Sequence, residues 1–301
     1  MSTDQLTTAD IGYGIPPTGH RLPEQTRLGR VRLQVADLAR SLIYYQEILG
    51  FRVLERSAGL ATLAAHGDDS PLIELHERPG AAPVPRQGRL GLYHFAILLP
   101  DRRALGRFVA HLAEIGLRAG ASDHLVSEAL YLHDPDGLGI EVYADRPRAT
   151  WGHDGRQLLM DTRPLDLQDL VRAAGGQPWT GMPAGTVIGH VHLHVGDIPA
   201  ADAFFHQALG LDRTVWSYPG ALFLSAGGYH HHLGVNTWAG PGAPRPRQDD
   251  ARLLEWEIVV SRPEDAEAAA RSLQAAGYEA GPDQGAWNAV DPWGTALRIR
   301  S

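Results

Sequence analysis

The chain has 301 residues, 44% of them apolar and 21% charged, with a formal net charge of −8, enough for two ordinary domains with sizeable cores and unlike a disordered or fibrous composition. The acidic balance and the absence of a basic patch speak against a nucleic-acid partner. With no cysteine, disulfides, thiolate zinc sites, iron–sulfur clusters and a thiol nucleophile are excluded. The opening MSTDQLTTAD lacks the basic and apolar regions of a signal peptide. No apolar run approaches the roughly 18–20 residues of a transmembrane helix, so a cytoplasmic protein without a membrane partner is expected. Histidine, at 15 residues, is the unusual component, and imidazole is the commonest metal ligand.

Residues 1–27, with Gly12, Gly14, Pro16 and Pro17 and little periodicity, read as an extended arm. A pattern then recurs four times. In VRLQVADLARSLIYYQEILGFRVL (31–54), Val31, Leu33 and Val35 alternate as a half-buried strand. Asp37 is placed to cap a helix, Leu38, Leu42, Tyr45 and Leu49 fall at helical spacing, and Gly50 ends it. Two strand-like runs follow, near 60–65 and 71–76. The second copy opens with YHFAILLPDRRALGRFVAHLAEIGLRAG (93–120), the third with VHLHVGDIPAADAFFHQALGLDRTV (191–215) and the fourth with LEWEIVVSRPEDAEAAARSLQAAGYEA (254–280). Each reads as a βαβββ module, over 28–79, 90–146, 187–239 and 252–301. Copies one and three share an aromatic pair before Leu-Gly (Tyr44-Tyr45, Phe204-Phe205). Copies two and four share a terminal Asp-Pro-x-Gly turn (134–137, 291–294), as in a duplicated pair of modules. The expectation is an α+β fold with domains over 28–146 and 187–301, joined by a linker at 147–186 that packs along the surface. Paired modules would curl into half-barrel sheets around a cleft. Polar residues facing that cleft should come from the first and last strands of each module.

Glu141 lies in the apolar run Gly139-Ile140-Glu141-Val142-Tyr143. An unpaired buried charge is costly, so a cation should stand beside it. His94, on the first strand of copy two, precedes its helix-capping Asp101 by the same interval as His190 precedes Asp197 in copy three. In His190-Val191-His192-Leu193-His194 the period of two turns all three imidazoles to one face. Two His and one carboxylate with open positions is the ligand set of non-haem Fe(II) oxygenases. Here the set would be His94, His190 and Glu141, and Mn(II) suits the same donors.

Residues 124–141 resemble the signature of the type I extradiol ring-cleavage dioxygenases. His124 is followed after five residues by Leu130-Tyr131, then Asp134-Pro135-x-Gly137, then, after three more, Glu141. Only Ser122 departs from the pattern. ALFLSAGGYHHHLGV (221–235) is similar to the family stretch carrying the His that faces dioxygen, which makes His231 its match. The βαβββ repeats are those of the wider vicinal oxygen chelate superfamily and cover nearly all of 28–301; SEALYLxDPDGxGIE is closest to bacterial catechol 2,3-dioxygenases. The resemblance implies a cytoplasmic enzyme of aromatic hydrocarbon catabolism, using Fe(II) or Mn(II), a catechol-type substrate and O2. The ring would open beside the diol to a 2-hydroxymuconic semialdehyde-type product. His231 would act as general base, while His124 and Tyr131 hold a substrate oxygen and assist proton transfer.

The usual family member keeps its site in the C-terminal half. Here copy four carries Glu255 and Arg298 at the ligand positions and copy one carries Arg30. The complete set is split between copies two and three, which should therefore pair with each other, within one chain or across a homo-oligomer. Arg30 and Glu255 would form ion pairs where ligands are missing. His192 and His194 read as substrate-lining or supporting residues. His230 and His232 would point away from the cleft if His231 points in, Tyr143 and Tyr44-Tyr45 read as core, and Asn236 and Trp238 are candidates for the wall. Asp134 and Gly137 serve the turn. Glyoxalase-type isomerases and metal-dependent glutathione transferases on the same scaffold are the alternative activity. A non-catalytic drug-binding protein would lack the ligands.

Overall fold

Each module folds as its alternation dictates. In the first, β1 (Arg27–Val35) leads to α1 (Leu38–Ile43), widened into a π turn over Tyr44–Ile48, then β2 (Arg52–Ser57), β3 (Leu60–Ala64) and β4 (Ile73–Glu77). The second has β5 (Gly91–Leu98), α2 (Arg102–Glu114), β6 (Gly120–Asp123), β7 (Ser127–His133) and β8 (Gly139–Asp145). After it come a short hairpin of β9 (His153–Asp154) and β10 (Gln157–Leu158) and the helix α3 (Leu167–Ala173). The third has β11 (Val187–His194), α4 (Ile198–Ala201) with a π turn at Asp202–Ala208, β12 (Asp212–Val215), β13 (Ala221–Ser225) and β14 (Leu233–Asn236). The fourth has β15 (Arg252–Val259), α5 (Pro263–Ala275), β16 (Ala280–Asp283), β17 (Ala286–Val290) and β18 (Ala296–Arg300). This computed structural model describes residues 12–85 and 88–301; the first eleven residues of the expected arm lie outside them.

The helix starts repeat one device. Asp37, Asp101 and Asp197 each accept a hydrogen bond from the backbone N–H three residues on, at 2.9, 2.7 and 2.8 Å, satisfying a donor the helix leaves unpaired. In the fourth module the equivalent place holds Arg262, and α5 starts instead with Pro263 at its first position. The terminal turns repeat as well. Asp134 Oδ1 accepts from the N–H groups of Asp136 and Leu138, as Asp291 Oδ1 does from Trp293 and Thr295.

The modules assemble into two eight-stranded sheets. One runs β16-β17-β18-β15-β1-β4-β3-β2, the other β12-β13-β14-β11-β5-β8-β7-β6. Modules one and four thus pair through antiparallel β1 and β15, and modules two and three through antiparallel β5 and β11. The sheets do not follow the chain halves 28–146 and 187–301, because each takes one module from each half. Alternate residues of the first strands face a core shared by all four modules, including Leu33, Phe95, Ile97, Val191, Leu193, Trp256 and Ile258. Each large side chain so buried contributes about 1.5–3 kcal/mol. The intervening residues, His94 and Ala96 on β5 and His190, His192 and His194 on β11, face the cleft of the second sheet.

In the first sheet the same face is filled by charge. Arg30 pairs with Glu74 at 2.9 Å and Glu257 at 3.1 Å, Arg32 with Glu74 at 2.9 Å and Glu255 at 3.3 Å, and Arg300 with Glu257 at 3.1 Å. Arg30 and Glu255 therefore do form ion pairs, each with other partners. Arg298 pairs with Asp283 at 2.6 Å.

The described part of the N-terminal arm runs along module three, with Ile15 bridging Arg213 and Arg21 paired to Asp212 at 2.6 Å. In segment 147–186, α3 lies against α2 at Gly106, where a Cβ would overlap the Leu170 carbonyl. No helix among the described residues is long and apolar enough to cross a membrane.

Candidate metal centre

The site is a row drawn across the second sheet. Register places His190 of β11 opposite Ala96 of β5, Ala96 beside Glu141 of β8, and Glu141 opposite Tyr131 of β7. Neighbouring strands stand about 4.8 Å apart, so an imidazole and a carboxylate two strands apart can meet only over a small residue, here Ala96. His94, two residues before Ala96, shares its face. His94 Nε2 lies 3.0 Å from Glu141 Oε2, His190 Nε2 lies 3.1 Å from the same oxygen, and the two Nε2 atoms are 3.3 Å apart. All three side chains are buried, with His190 1% and Glu141 3% exposed.

Three lone-pair donors so close repel unless a cation or protons stand among them. Three donors about 2.1 Å from one ion and at right angles to one another stand about 3.0 Å apart, which matches the observed separations. His190 Nδ1 is buried without a hydrogen-bond partner among the described residues. Burial pushes His190 down to about 4, against the pull of the Glu141 carboxylate, which keeps its imidazole neutral as a ligand must be. Burial would raise Glu141, but His190 and His94 outweigh it and hold the carboxyl well below its usual range. The residues present thus fit a divalent cation held by His94, Glu141 and His190. Gly139 helps to seat the carboxylate strand, since a Cβ there would overlap the Tyr93 carbonyl.

These groups open into a cavity of about 250 Å³, walled also by Tyr93, His124, Tyr131, Phe223, His231 and Trp238. His124 Nδ1–H donates to the Asp161 carbonyl at 2.8 Å, which leaves Nε2 to accept from the Tyr131 hydroxyl at 2.6 Å. Burial, followed by the Glu141 carboxylate, pushes the Tyr131 phenol well above its usual range. His124 precedes a tight turn in which Leu125 has φ 70°, a conformation uncommon outside glycine.

His192 faces the cavity but does not join the cluster. Asn236 Oδ1 accepts from the Trp238 N–H at 3.0 Å and from His194 Nδ1 at 2.6 Å, so its Nδ2 donates to His192 Nε2 at 2.9 Å. That lone pair is occupied. Asn236 therefore braces two histidines from behind and is not part of the wall, whereas Trp238 is.

His231 lines the cavity, yet it does not sit on the last strand of its module: residues 229–232 are irregular, and β14 begins at Leu233. Strand alternation does not apply there; His230 does not line the cavity, and its Nδ1 lies 2.7 Å from His231 Nδ1. His232 does point elsewhere, to Ser225 and the Ala226 N–H. Tyr143 is fully buried, but it is not only core, because its hydroxyl meets that of Tyr229 at 2.7 Å. The segment expected only as a linker also contributes Met160, Asp161 and Thr162 to the cavity wall, and nothing in its sequence pattern marks them.

Comparison with known proteins agrees with this architecture. Residues 27–142 match the family model of the Glyoxalase/Bleomycin resistance protein/Dioxygenase superfamily. The chain is 44% identical over 272 residues to the catechol-2,3-dioxygenase of Bacillus subtilis (strain 168), covering 89% of this chain and 95% of that protein. A crystal structure of a Bacillus subtilis protein superposes with a TM-score of 0.65 at 14% identity, over 93% of this chain and 86% of that one. Glyoxalase I from Zea mays does so at 0.53 and 19% identity, over 91% and 92%. At such identities the two structures speak for the fold alone. The chain belongs to the glyoxalase/bleomycin resistance protein/dioxygenase superfamily. Within it, the chain is one of the catechol 2,3-dioxygenase-like enzymes.

Proposed function

We propose that the protein is an extradiol dioxygenase that opens a catechol ring beside its diol with O2, giving a 2-hydroxymuconic semialdehyde-type product. The observation that carries this is the meeting of His94, Glu141 and His190 at one end of a cavity whose walls bear His231 and the Tyr131–His124 pair. The relative named catechol-2,3-dioxygenase supports the same activity. His94, Glu141 and His190 would hold Fe(II), with Mn(II) suited to the same donors. When bound, the ion would supply Lewis-acid and redox chemistry at this end of the cavity.

The remaining steps belong to side chains. His231, neutral because burial and its neighbouring histidines push it well below the usual imidazole range, takes a diol proton as general base. Tyr131 orients a substrate oxygen, and His124, anchored through Nδ1, accepts and returns the Tyr131 proton. Phe223 and Trp238 flank the ring and exclude water. The cavity is below the roughly 300–1,000 Å³ of drug-sized sites, which suits a single-ring diol. A glyoxalase-type isomerase would call on a fourth protein ligand. His192 does not supply one, because its Nε2 lone pair accepts from Asn236 Nδ2, and this favours the dioxygenase.

Oxygen uptake and the yellow absorbance of a semialdehyde on mixing ferrous-loaded protein with catechol test the proposal. His231→Phe should keep its metal and lose turnover. Ring cleavage at the wild-type rate in His231→Phe would rule out His231 as the general base, and no oxygen uptake with any simple catechol would remove the activity itself.

A further inference from the structure

Behind His231 runs a hydrogen-bonded chain that leads from the cavity toward the surface. His231 Nδ1 lies 2.7 Å from His230 Nδ1, and His230 Nε2 lies 3.0 Å from Asp145 Oδ1. The same carboxylate oxygen accepts from the Tyr229 hydroxyl at 3.2 Å, and Tyr229 in turn meets the Tyr143 hydroxyl at 2.7 Å. His230 is fully buried, its ring 4.1 Å from Tyr229 and 5.3 Å from Trp151, centroid to centroid. The Asp145 side chain is 26% exposed, so the chain ends at solvent.

The direction of each hydrogen bond follows from what the groups can do. A carboxylate only accepts, so His230 Nε2 carries a proton. In the singly protonated form of that ring Nδ1 is an acceptor, which puts the single proton between the two rings on His231 Nδ1. His231 Nε2 is left bare, and it has no hydrogen-bond partner among the described residues. We infer that Asp145 and His230 are positioning residues that fix His231 in its Nδ1–H tautomer, presenting Nε2 to the cavity as a ready proton acceptor. This rests on the dioxygenase role proposed for His231 and names what makes that role available. When Nε2 takes a diol proton, the O–H bond breaks, the N–H bond forms and the electron pair stays on oxygen; the charge left on His231 faces the His230–Asp145 pair. The order substrate–imidazole–imidazole–carboxylate extends the logic by which a third group sets the tautomer of a catalytic base.

Asp145→Asn is the sharpest perturbation. An amide can turn its Nδ2 toward His230 Nε2, which reverses both imidazoles and places the proton on His231 Nε2. Long-range ¹H–¹⁵N correlation on full-length protein labelled at histidine and loaded with diamagnetic Zn(II) reads the tautomer, with the His231 signals assigned by their loss in His231→Phe. Wild type should show His231 protonated on Nδ1, and Asp145→Asn should show it on Nε2. With ferrous-loaded protein, Asp145→Asn should lower kcat by about 10²-fold or more, the scale of a lost general base, with metal content and KM within about twofold. Asp145→Glu, which keeps the acceptor, should recover most of the loss. An Nε2–H His231 in wild type would overturn the proposal without any variant, as would an unchanged tautomer and kcat in Asp145→Asn. If wild type proves inactive on catechols, the activity proposal fails, and the resonances still decide the tautomer.

Discussion

Glu141→Gln keeps the shape of the side chain and removes the only negative charge among the three converging donors. In the protein, Glu141 Oε2 is 3.0 and 3.1 Å from two imidazole nitrogens and 3% exposed, so little solvent screens the change. Breaking a buried charge set by removing one partner costs about 3–5 kcal/mol. At about 1.4 kcal/mol per decade, that is roughly a 10²–10⁴-fold loss of affinity for a divalent ion. The first sheet provides an internal control. Glu74 stands beside Arg32 in the register in which Glu141 stands beside Ala96, and it is paired with Arg30, Arg32 and His76. Glu74→Gln should lower the thermal midpoint and leave metal affinity within about threefold. Metal content after equilibrium dialysis, and dissociation constants from chelator competition, measure both variants. Equal affinities for Glu141→Gln and wild type would refute the assignment of Glu141, as would an equal loss in Glu74→Gln.

Three further outcomes follow from packing and charge. Ala96→Leu should empty the site while the chain stays folded, because the spacer between Glu141 and His190 would be overfilled at about 1–3 kcal/mol; normal metal content in a folded Ala96→Leu would show that the gap over Ala96 is not needed. Gly189→Ala should lower the melting temperature, since its Cβ would overlap the Tyr143 hydroxyl, and adding Tyr143→Phe should restore part of the loss; no restoration would place the clash elsewhere. Burial, ahead of repulsion from Asp136, raises Asp134 from 3.8 to about 7. A carboxyl raised on folding favours the native state below its unfolded value, and that contribution declines as pH rises from about 3.8 to about 7. Asp134→Asn, which keeps the turn acceptor, should therefore gain stability over wild type at pH 8 and not at pH 4. Parallel stability curves for the two proteins would refute this.

Much of the site is written in strand alternation. His94, His190 and Glu141 were legible because each stands at an odd place in an apolar run, and the repeats show which runs correspond. The pairing of modules two and three follows from the charges that replace ligands in modules one and four. The His124 and Tyr131 pair is visible through its spacing to the Asp-Pro-x-Gly turn. Ala96 was not legible, because its importance comes from lying between two residues of other strands. The Asp161 carbonyl that orients His124 was hidden for a different reason: a backbone acceptor carries no side-chain signature. His230 stays outside the cavity wall as its place suggested, but its link to His231 was not legible, because residues 229–232 look like a strand in one dimension, while Gly227 and Gly228, with φ 58° and 63°, break the ladder just before them.

The row His190, Ala96, Glu141, Tyr131 makes the site a gauge of sheet register. A slip of β8 by one residue against β5 would swing Glu141 to the helical side and bring apolar neighbours to the cleft. Metal uptake is then possible only after two chain segments nearly a hundred residues apart by sequence number, β5 and β11, have aligned correctly with β8 between β5 and β7. During refolding, capture of the ion would mark the moment at which the sheet has found its native alignment, and its binding energy would favour that alignment over every slipped one.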